Sequence, residues 1–376
     1  MAEMATVAML VEPGKFEFRE YPIPEINDDE MLVKVEGCGV CGTDGHEYKR
    51  DPFGLCAKGV VLGHEGSGEI VKIGKNIKTD SQGRAVGLGD KIVTCIIPCG
   101  HCPACKNTPA RTSLCENVGV YGLFPDDEVH LNGYFGTYLK IRKGSTFFNV
   151  TGMTLDQRML IEPAAVAVHC VERAKTTGLL RFNTTVLIQG CGPIGLMVMA
   201  VVRTLGVENI IAVDGNDTRL EKAKEFGASK TFNFTKYAKF EDMLAEIKAA
   251  TDGLGAEFVF QCTGVPAAHA NALKMVRRGG GFCEVGFFLD GGNAPINPHF
   301  DFCNKEISLV GSWVYTPQDY PNTFDFLRRA KAIGLPVEQL VTHHFLLKDI
   351  DAALKANVSM AGIKIAVVTD PKDADQ

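Results

Sequence analysis

The sequence predicts an α/β protein in two parts, a β-rich unit at the start of the chain followed by a doubly wound parallel sheet. Three observations carry that expectation. Short apolar runs punctuated by Gly and Pro fill the first third; strand-like and helix-like runs alternate from about Thr185; and a glycine turn, Gly190 to Gly195, stands where a strand meets a helix. At 376 residues, and roughly 150 per domain, the chain has length for two cores without disulfide staples.

In the first third, 32–35, 68–73 and 91–95 read as strands with turns between them, the pattern of an antiparallel unit. From Thr185 the expected order is strand 186–189, helix 193–205, strand 210–214, helix 218–226, strand 258–262, helix 267–276 and strand 282–285. A helix over 322–332 and a strand over 363–368 follow, and the tail after Pro371 reads as a frayed end. The nearly charge-free stretch 186–206 is long enough to cross a bilayer, but its four glycines, Pro193 and Arg203 mark a buried strand turning into a helix.

Composition removes several classes of function. Lys plus Arg number 39 and Asp plus Glu 45, so the net charge is −6, too mildly acidic for electrostatic binding to nucleic acid or anionic lipid. Hydrophobic residues at 45% and charged residues at 22% are ordinary for a globular protein, which sets disorder and fibrous folds aside. The anomaly is 13 cysteines. Glu12, Lys15 and Glu17 interrupt the first residues, so no secretory leader is read; a cytoplasmic, reducing setting is expected, where closely spaced cysteines favour zinc over disulfides.

The turn Gly190-Cys191-Gly192-Pro193-Ile194-Gly195 fits G-x-G-x-x-G. Between a strand and a helix, its first glycine makes the tight turn, its second admits a pyrophosphate, and its third allows close helix packing. The phosphates would meet the free N–H groups of the helix N-terminus. Asp214 ends the next strand, 24 positions after Gly190, where a carboxylate can accept from both ribose hydroxyls and repel a 2′-phosphate; NAD is therefore expected over NADP. Arg219 reads either as a cofactor contact or as a solvated helix residue.

Cys99, Cys102 and Cys105 form C-x-x-C-x-x-C, with Cys115 ten positions on. Four thiolates so close can enclose a tetrahedral ion, the pattern of a structural zinc site, with His101 as a bystander. A second group is dispersed: Cys41 and Asp44, His64 and Glu65, and Glu162. Spacing alone cannot join these, and each has a bland reading as a core thiol, a core histidine or a solvated acid. Cys38, which makes a decoy C-x-x-C with Cys41, reads as a core residue.

Together, Gly39-Val40-Cys41-Gly42-Thr43-Asp44, Gly63-His64-Glu65-Gly66-Ser67-Gly68, the cysteine lobe, Glu162-Pro163, the glycine turn and Asp214 resemble the zinc-dependent medium-chain alcohol dehydrogenases, over nearly the whole chain and in the right order. The resemblance implies a GroES-like catalytic domain (1–163, with a structural-zinc lobe at about 95–118), a Rossmann domain for NAD (164–313), and a segment, 314–376, returning to the catalytic domain, with a substrate cleft between the domains. It makes Cys41, His64 and Glu162 ligands of a catalytic zinc, as in the polyol and threonine dehydrogenase branches, with Glu65 a direct ligand or one step behind it, and so implies two zinc ions per chain. Thr43 and His46 resemble the family's proton relay, and Asp44 would orient a ligand histidine. Further cofactor contacts implied are Thr263, Val285, Gly286, Phe287, Ser312, Trp313 and Lys364. The implied reaction is hydride transfer between a secondary alcohol or polyol-like small molecule, or its ketone, and NAD, in a homodimer or homotetramer.

Departures from the family pattern bear on the substrate. Nine residues, 106–114, separate the last two lobe cysteines where seven are usual, so that loop must bulge or alter the geometry at Cys115, and 79–88 is also longer than usual. Glu47 stands where sorbitol dehydrogenases carry a substrate-contacting tyrosine, and Val314, followed by Tyr315, replaces their substrate-binding arginine, which argues against a sugar polyol. A catalytically silent zinc- and NAD-binding scaffold is the alternative function; the retained Cys41, His64, Glu162 and Thr43 speak against it, and the metal ligands speak against a zinc-free quinone reductase. Cys191 sits in the nucleotide turn by accident of side chain, and Cys38, Cys56, Cys95, Cys170, Cys262, Cys283 and Cys303 read as small buried hydrophobes with no disulfides.

Overall fold

In the computed structural model, which describes residues 3–49, 59–123 and 128–374, the chain divides into two units. The first holds Met1–Glu162, Thr316–Pro321 and Glu338–Gln376; the second holds Pro163–Tyr315 and Asn322–Val337. The stretch Asn322–Val337 thus groups with the second unit, whereas the resemblance implied a return of all of 314–376 to the first. Its helix buries a stripe of Thr323, Phe326 and Ala330, a spacing that defines a face without saying which core receives it.

In chain order the strands are β1 (Met4–Glu12), β2 (Lys15–Pro22), β3 (Met31–Val40), β4 (Val60–Val61), β5 (Glu65–Ile73), β6 (Lys91–Thr94), β7 (Tyr138–Ile141), β8 (Phe147–Asn149), β9 (Val186–Gln189), β10 (Ile210–Asp214), β11 (Lys230–Asn233), β12 (Ala256–Gln261), β13 (Val276–Glu284), β14 (Ser308–Gly311), β15 (Val341–Leu346) and β16 (Lys364–Val368). In the first unit a seven-stranded sheet runs β15-β16-β3-β5-β6-β8, with β7 also paired to β3, and a smaller sheet runs β2-β1-β4. The core between them is built from Val33, Ile70, Ile92, Leu139 and Ile365, each at most 1% exposed.

The register of three strands in the larger sheet gathers residues that are far apart in the chain. β3 and β5 are antiparallel with Gly39 opposite Glu65, and β16 is antiparallel to β3 with Ile365 opposite Val40. The end of β3, the start of β5 and the start of β16 therefore converge, bringing Cys41, His64, Glu65 and Lys364 to one edge although more than 300 residues separate the first from the last.

The second unit is one six-stranded sheet in the order β11-β10-β9-β12-β13-β14, parallel throughout. β9 lies where the strand order reverses, the point at which open α/β sheets bind ligands. Its residues Val186, Leu187 and Ile188 are fully buried, as expected of a central strand covered on both faces. The stretch 186–206 is thus strand, turn and helix, and among the described residues no helix is long and apolar enough to cross a membrane.

Several expectations do not hold. The described part of the tail forms a 3-10 turn, Pro371–Asp373, whose backbone is tied by Asp370 accepting from the Lys372 N–H at 3.0 Å, and 375–376 lie outside the described residues. Cys38, Cys95, Cys170 and Cys283 are buried, but Cys262 is only half-buried and Cys303 is exposed; Cys56 lies outside the described residues. Cys303 belongs to a short 3-10 segment, Cys303–Lys305, that contributes no side chain to the core.

Candidate active site

The helix Gly42–Lys49 starts directly after β3, and its first turn carries Thr43 and Asp44 beside Cys41. Asp44 is fully buried and accepts the Cys41 N–H at 2.8 Å with Oδ2, fixing the backbone where the thiol leaves the strand. From the neighbouring strand come His64 and Glu65. A Cys41 sulfur, a His64 ring nitrogen and a Glu65 carboxylate oxygen all lie within 4.8 Å of one another.

The imidazole faces a buried acid. Asp44 Oδ1 lies 3.6 Å from His64 Nδ1, and both atoms are buried with no hydrogen-bond partner. Burial pushes the Asp44 carboxyl up from its ordinary range. Burial alone would lower His64, yet the charges of Asp44, Cys41 and Glu162 overcome it and raise the imidazole well above its usual value. A thiol, carboxylates and a buried imidazole brought together offer the sulfur, nitrogen and oxygen donors that zinc takes.

The remaining residues of this group occupy distinct positions. Glu162, in the first turn of helix Ile161–Lys175, is not part of the tight triple, although its charge reaches His64. Thr43 is buried with Oγ1 3.6 Å from the Cys41 sulfur, and His46, one helical turn further on, is exposed. Glu47 is completely buried. Val314 adopts a left-handed backbone (φ 52°), costly for a β-branched residue. Lys364, implied by the resemblance as a cofactor contact, is 3% exposed, and its ammonium donates to both Glu65 oxygens at 2.7 and 2.5 Å and to the Val40 carbonyl at 3.3 Å. Any Glu65 oxygen turning toward a metal would do so against this ion pair.

The four lobe cysteines converge as their spacing implies: the sulfurs of Cys99, Cys102, Cys105 and Cys115 all lie within 4.8 Å. The two additional residues before Cys115 are taken up in a 3-10 segment, Pro109–Leu114, broken at Arg111, so the loop coils and Cys115 still reaches the cluster. Backbone amides point at sulfur, Cys99 N–H to Cys115 at 3.3 Å and Cys102 N–H to Cys99 at 3.4 Å. N–H groups of Cys105 and Glu116 lower the Cys102 thiol to about 6, while burial raises Cys105 to about 12. Amides aimed at sulfur stabilise thiolates, and four such sulfurs fit a closed zinc site. His101 bonds the Cys99 carbonyl at 2.9 Å and stays outside.

In the second unit, Gly190 takes φ 93°, and a Cβ at Gly195 would strike the Gly190 carbonyl oxygen, so both glycines are required for the helix to start this close to the strand. Pro193 fills the first helical position after the N-cap Gly192, where its missing N–H costs nothing, and Ile194 follows it. Asp214 accepts the Cys191 N–H at 2.7 Å and the Asn216 N–H at 2.9 Å, so the acid also braces the glycine turn. Arg219 brings its guanidinium within 3.8 Å of the space a side chain at Gly192 would fill.

Three buried polar oxygens around the carbonyl ends of these strands lack partners: Gln189 Oε1, Thr263 Oγ1 and Ser312 Oγ. Buried polar groups are normally satisfied, so hydroxyls and amides left open at the switch point fit a polar ligand such as a dinucleotide. Val285, Gly286 and Phe287 follow β13, while Ser312 and Trp313 follow β14, where Trp313 stacks on Phe288 at 5.0 Å. Sequence reasoning did not single out Gln189; the signal was there, a polar residue closing an otherwise apolar parallel strand.

Comparison with known proteins bears on both sites. Residues 27–151 match the family model described as alcohol dehydrogenase GroES-like domain, and residues 193–329 match zinc-binding dehydrogenase. The chain is 32% identical to the sorbitol dehydrogenase of Bacillus subtilis over 97% of its own length and 96% of the relative's. It is 35% identical to the L-threonine 3-dehydrogenase of Bacillus licheniformis, covering 73% of this chain and 74% of that one. A crystal structure of an alcohol dehydrogenase from Thermotoga maritima superposes with a TM-score of 0.90 at 28% identity, covering 98% of this chain and 100% of the other.

Proposed function

The chain belongs to the zinc-dependent medium-chain alcohol dehydrogenases, and from that premise we propose that it moves a hydride between a secondary alcohol or polyol-like substrate and NAD. The observation that supports this most is the convergence of Cys41, His64 and Glu65 within 4.8 Å, with Asp44 buried behind the imidazole. A closed sulfur cluster serves structure; a mixed donor set with a half-buried thiol leaves room for a substrate oxygen.

Cys41 and His64 would hold the catalytic zinc, with Glu65 or Glu162 completing the set, and Cys99, Cys102, Cys105 and Cys115 would hold a second ion. Zinc, when bound, supplies a Lewis acid that lowers the pKa of an alcohol oxygen. The residues around it then have separate tasks. Asp44 would face the Nδ1 side of His64 and leave the other ring nitrogen to the metal. Thr43 would take the alcohol proton at its hydroxyl oxygen as it gives up its own, and His46, exposed on the same helix, would release a proton to solvent. Lys364 fixes Glu65 in place.

In the second unit, Asp214 and Arg219 would bind the adenosine ribose and the glycine turn the pyrophosphate, with Thr263, 285–287, Ser312 and Trp313 along the rest of the cofactor. A carboxylate at 214 supports NAD over NADP, because a 2′-phosphate would face a like charge. A cytoplasmic setting is supported by free thiols at every described cysteine, and a homo-oligomer by the family and by β14, an edge strand with Leu309 41% exposed.

The test is NADH formation from secondary alcohols, vicinal diols and hydroxy acids, before and after treatment with a zinc chelator. Turnover on at least one class that disappears with zinc and returns on its addition is expected. Equal rates in zinc-stripped protein, or no turnover on any alcohol with zinc bound, would overturn the proposal in favour of a binding scaffold.

A further inference from the structure

Four strands of the parallel sheet end in the same arrangement. The last residues of β10, β11, β12 and β13 are Asp214, Asn233, Gln261 and Glu284, and each turns a side-chain oxygen onto the backbone N–H two residues ahead. Asn216, Thr235 and Gly286 donate at 2.9, 3.0 and 2.7 Å, and Thr263 donates to Gln261 in the same way. Each bond closes a turn at the carbonyl edge of the sheet, where the chain must leave the strand.

Glu284 does more than close its own turn. While Oε1 accepts from Gly286, Oε2 is 2.5 Å from His269 Nδ1 on helix Pro266–Met275, and its main-chain carbonyl accepts the Ser312 N–H at 2.9 Å. One residue therefore ties a helix, the 285–287 turn and the start of the 312–313 segment. There is no slack in that turn: a Cβ at Gly286 would collide with the backbone of Thr263. His269 is itself pinned, edge-on to the rings of Phe282 at 5.3 Å and Phe287 at 6.1 Å. The turn and the 312–313 segment carry residues assigned to the cofactor, whereas neither Glu284 nor His269 is among them.

We infer that Glu284 is a positioning residue for the dinucleotide: its carboxylate, steered by His269, sets the backbone height of the 285–287 turn against the cofactor. The inference rests on the proposal that this unit binds NAD. A plain helix-to-strand ion pair would give a different result, since its loss would lower stability and leave cofactor affinity alone.

The experiment is NADH binding to the full zinc-loaded chain, followed by nicotinamide fluorescence, with the melting midpoint of the ligand-free protein recorded in parallel. Glu284→Ala should weaken binding roughly tenfold, as expected for a lost charge-assisted acceptor. Glu284→Gln keeps an oxygen for Gly286 and should stay within about twofold of wild type, while His269→Ala, which frees the carboxylate to swing, should weaken binding about threefold. Wild-type affinity in Glu284→Ala, or an equal loss in Glu284→Gln, overturns the inference. Should Glu284→Ala not fold, unchanged binding in His269→Ala overturns it instead. A wild-type chain that binds no NADH would sink the dinucleotide reading and this inference together, whereas binding retained by Glu284→Ala sinks this one alone.

Discussion

At the scale of single residues, the least replaceable groups are those whose partners are charged and buried. Asp44 is given no contact with substrate, yet it lies behind His64 at 3.6 Å and holds the Cys41 backbone. Removing a carboxylate that orients a ligand histidine typically costs 10–100-fold in metal affinity, so Asp44→Ala should lose zinc to a chelator at roughly that advantage over wild type. Competition with a chromophoric chelator reads it, and equal retention would take Asp44 out of the site. Asp214→Ala should weaken NAD binding and bring NADP closer to it in affinity. It should also loosen the glycine turn through the lost bond to Cys191, so part of the effect will appear with either cofactor. An unchanged preference for NAD in binding titrations would count against the ribose role.

At the scale of elements, the four inner strands of the parallel sheet were legible, while its edge strands β11 and β14 and much of the rest were not. Strands 186–189 and 210–214 carry apolar runs rich in Val and Ile, each closed by one polar residue, and the structure ends them at the same residues. β2, with the charged Glu17, Arg19 and Glu20 and only Phe16 buried, and β14, with only Leu309 and Val310 apolar, lack that signal because they lie at sheet edges. The candidate metal residues were legible through a resemblance rather than through periodicity: nothing between Cys41 and Lys364 says that β3, β5 and β16 share an edge. The ion pair of Lys364 with Glu65 could not be read for the same reason. In the cysteine lobe, by contrast, proximity in sequence is proximity in space, and this carries a pH dependence. Ligands must lose protons to bind metal; the amides of Cys105 and Glu116 lower the Cys102 thiol to about 6, and burial raises that of Cys105 to about 12. Zinc uptake by stripped lobe should therefore strengthen as pH rises from about 6 and weaken steeply below it, releasing protons on binding. Calorimetry in buffers of different ionisation enthalpy counts those protons; a pH-independent affinity would mean the four thiols are not the ligands.

For the whole molecule, the division of labour between units is what makes the chemistry separable. The first unit carries both sulfur-containing clusters and the second carries the glycine turn, so loss of metal and loss of cofactor should be independent defects. The alternative of a silent scaffold is distinguishable because a scaffold needs the lobe but has no use for a mixed donor set beside a buried acid. The claim at the centre is that Cys41 and His64 hold a zinc ion on which turnover depends, distinct from the one in the lobe. The most direct test is elemental zinc per chain, measured with NADH formation on the same samples, for wild type and His64→Ala. Two ions in wild type, and one in His64→Ala with turnover lost, is the expected result; one ion in wild type, or a His64→Ala protein that keeps two ions and its activity, would contradict it.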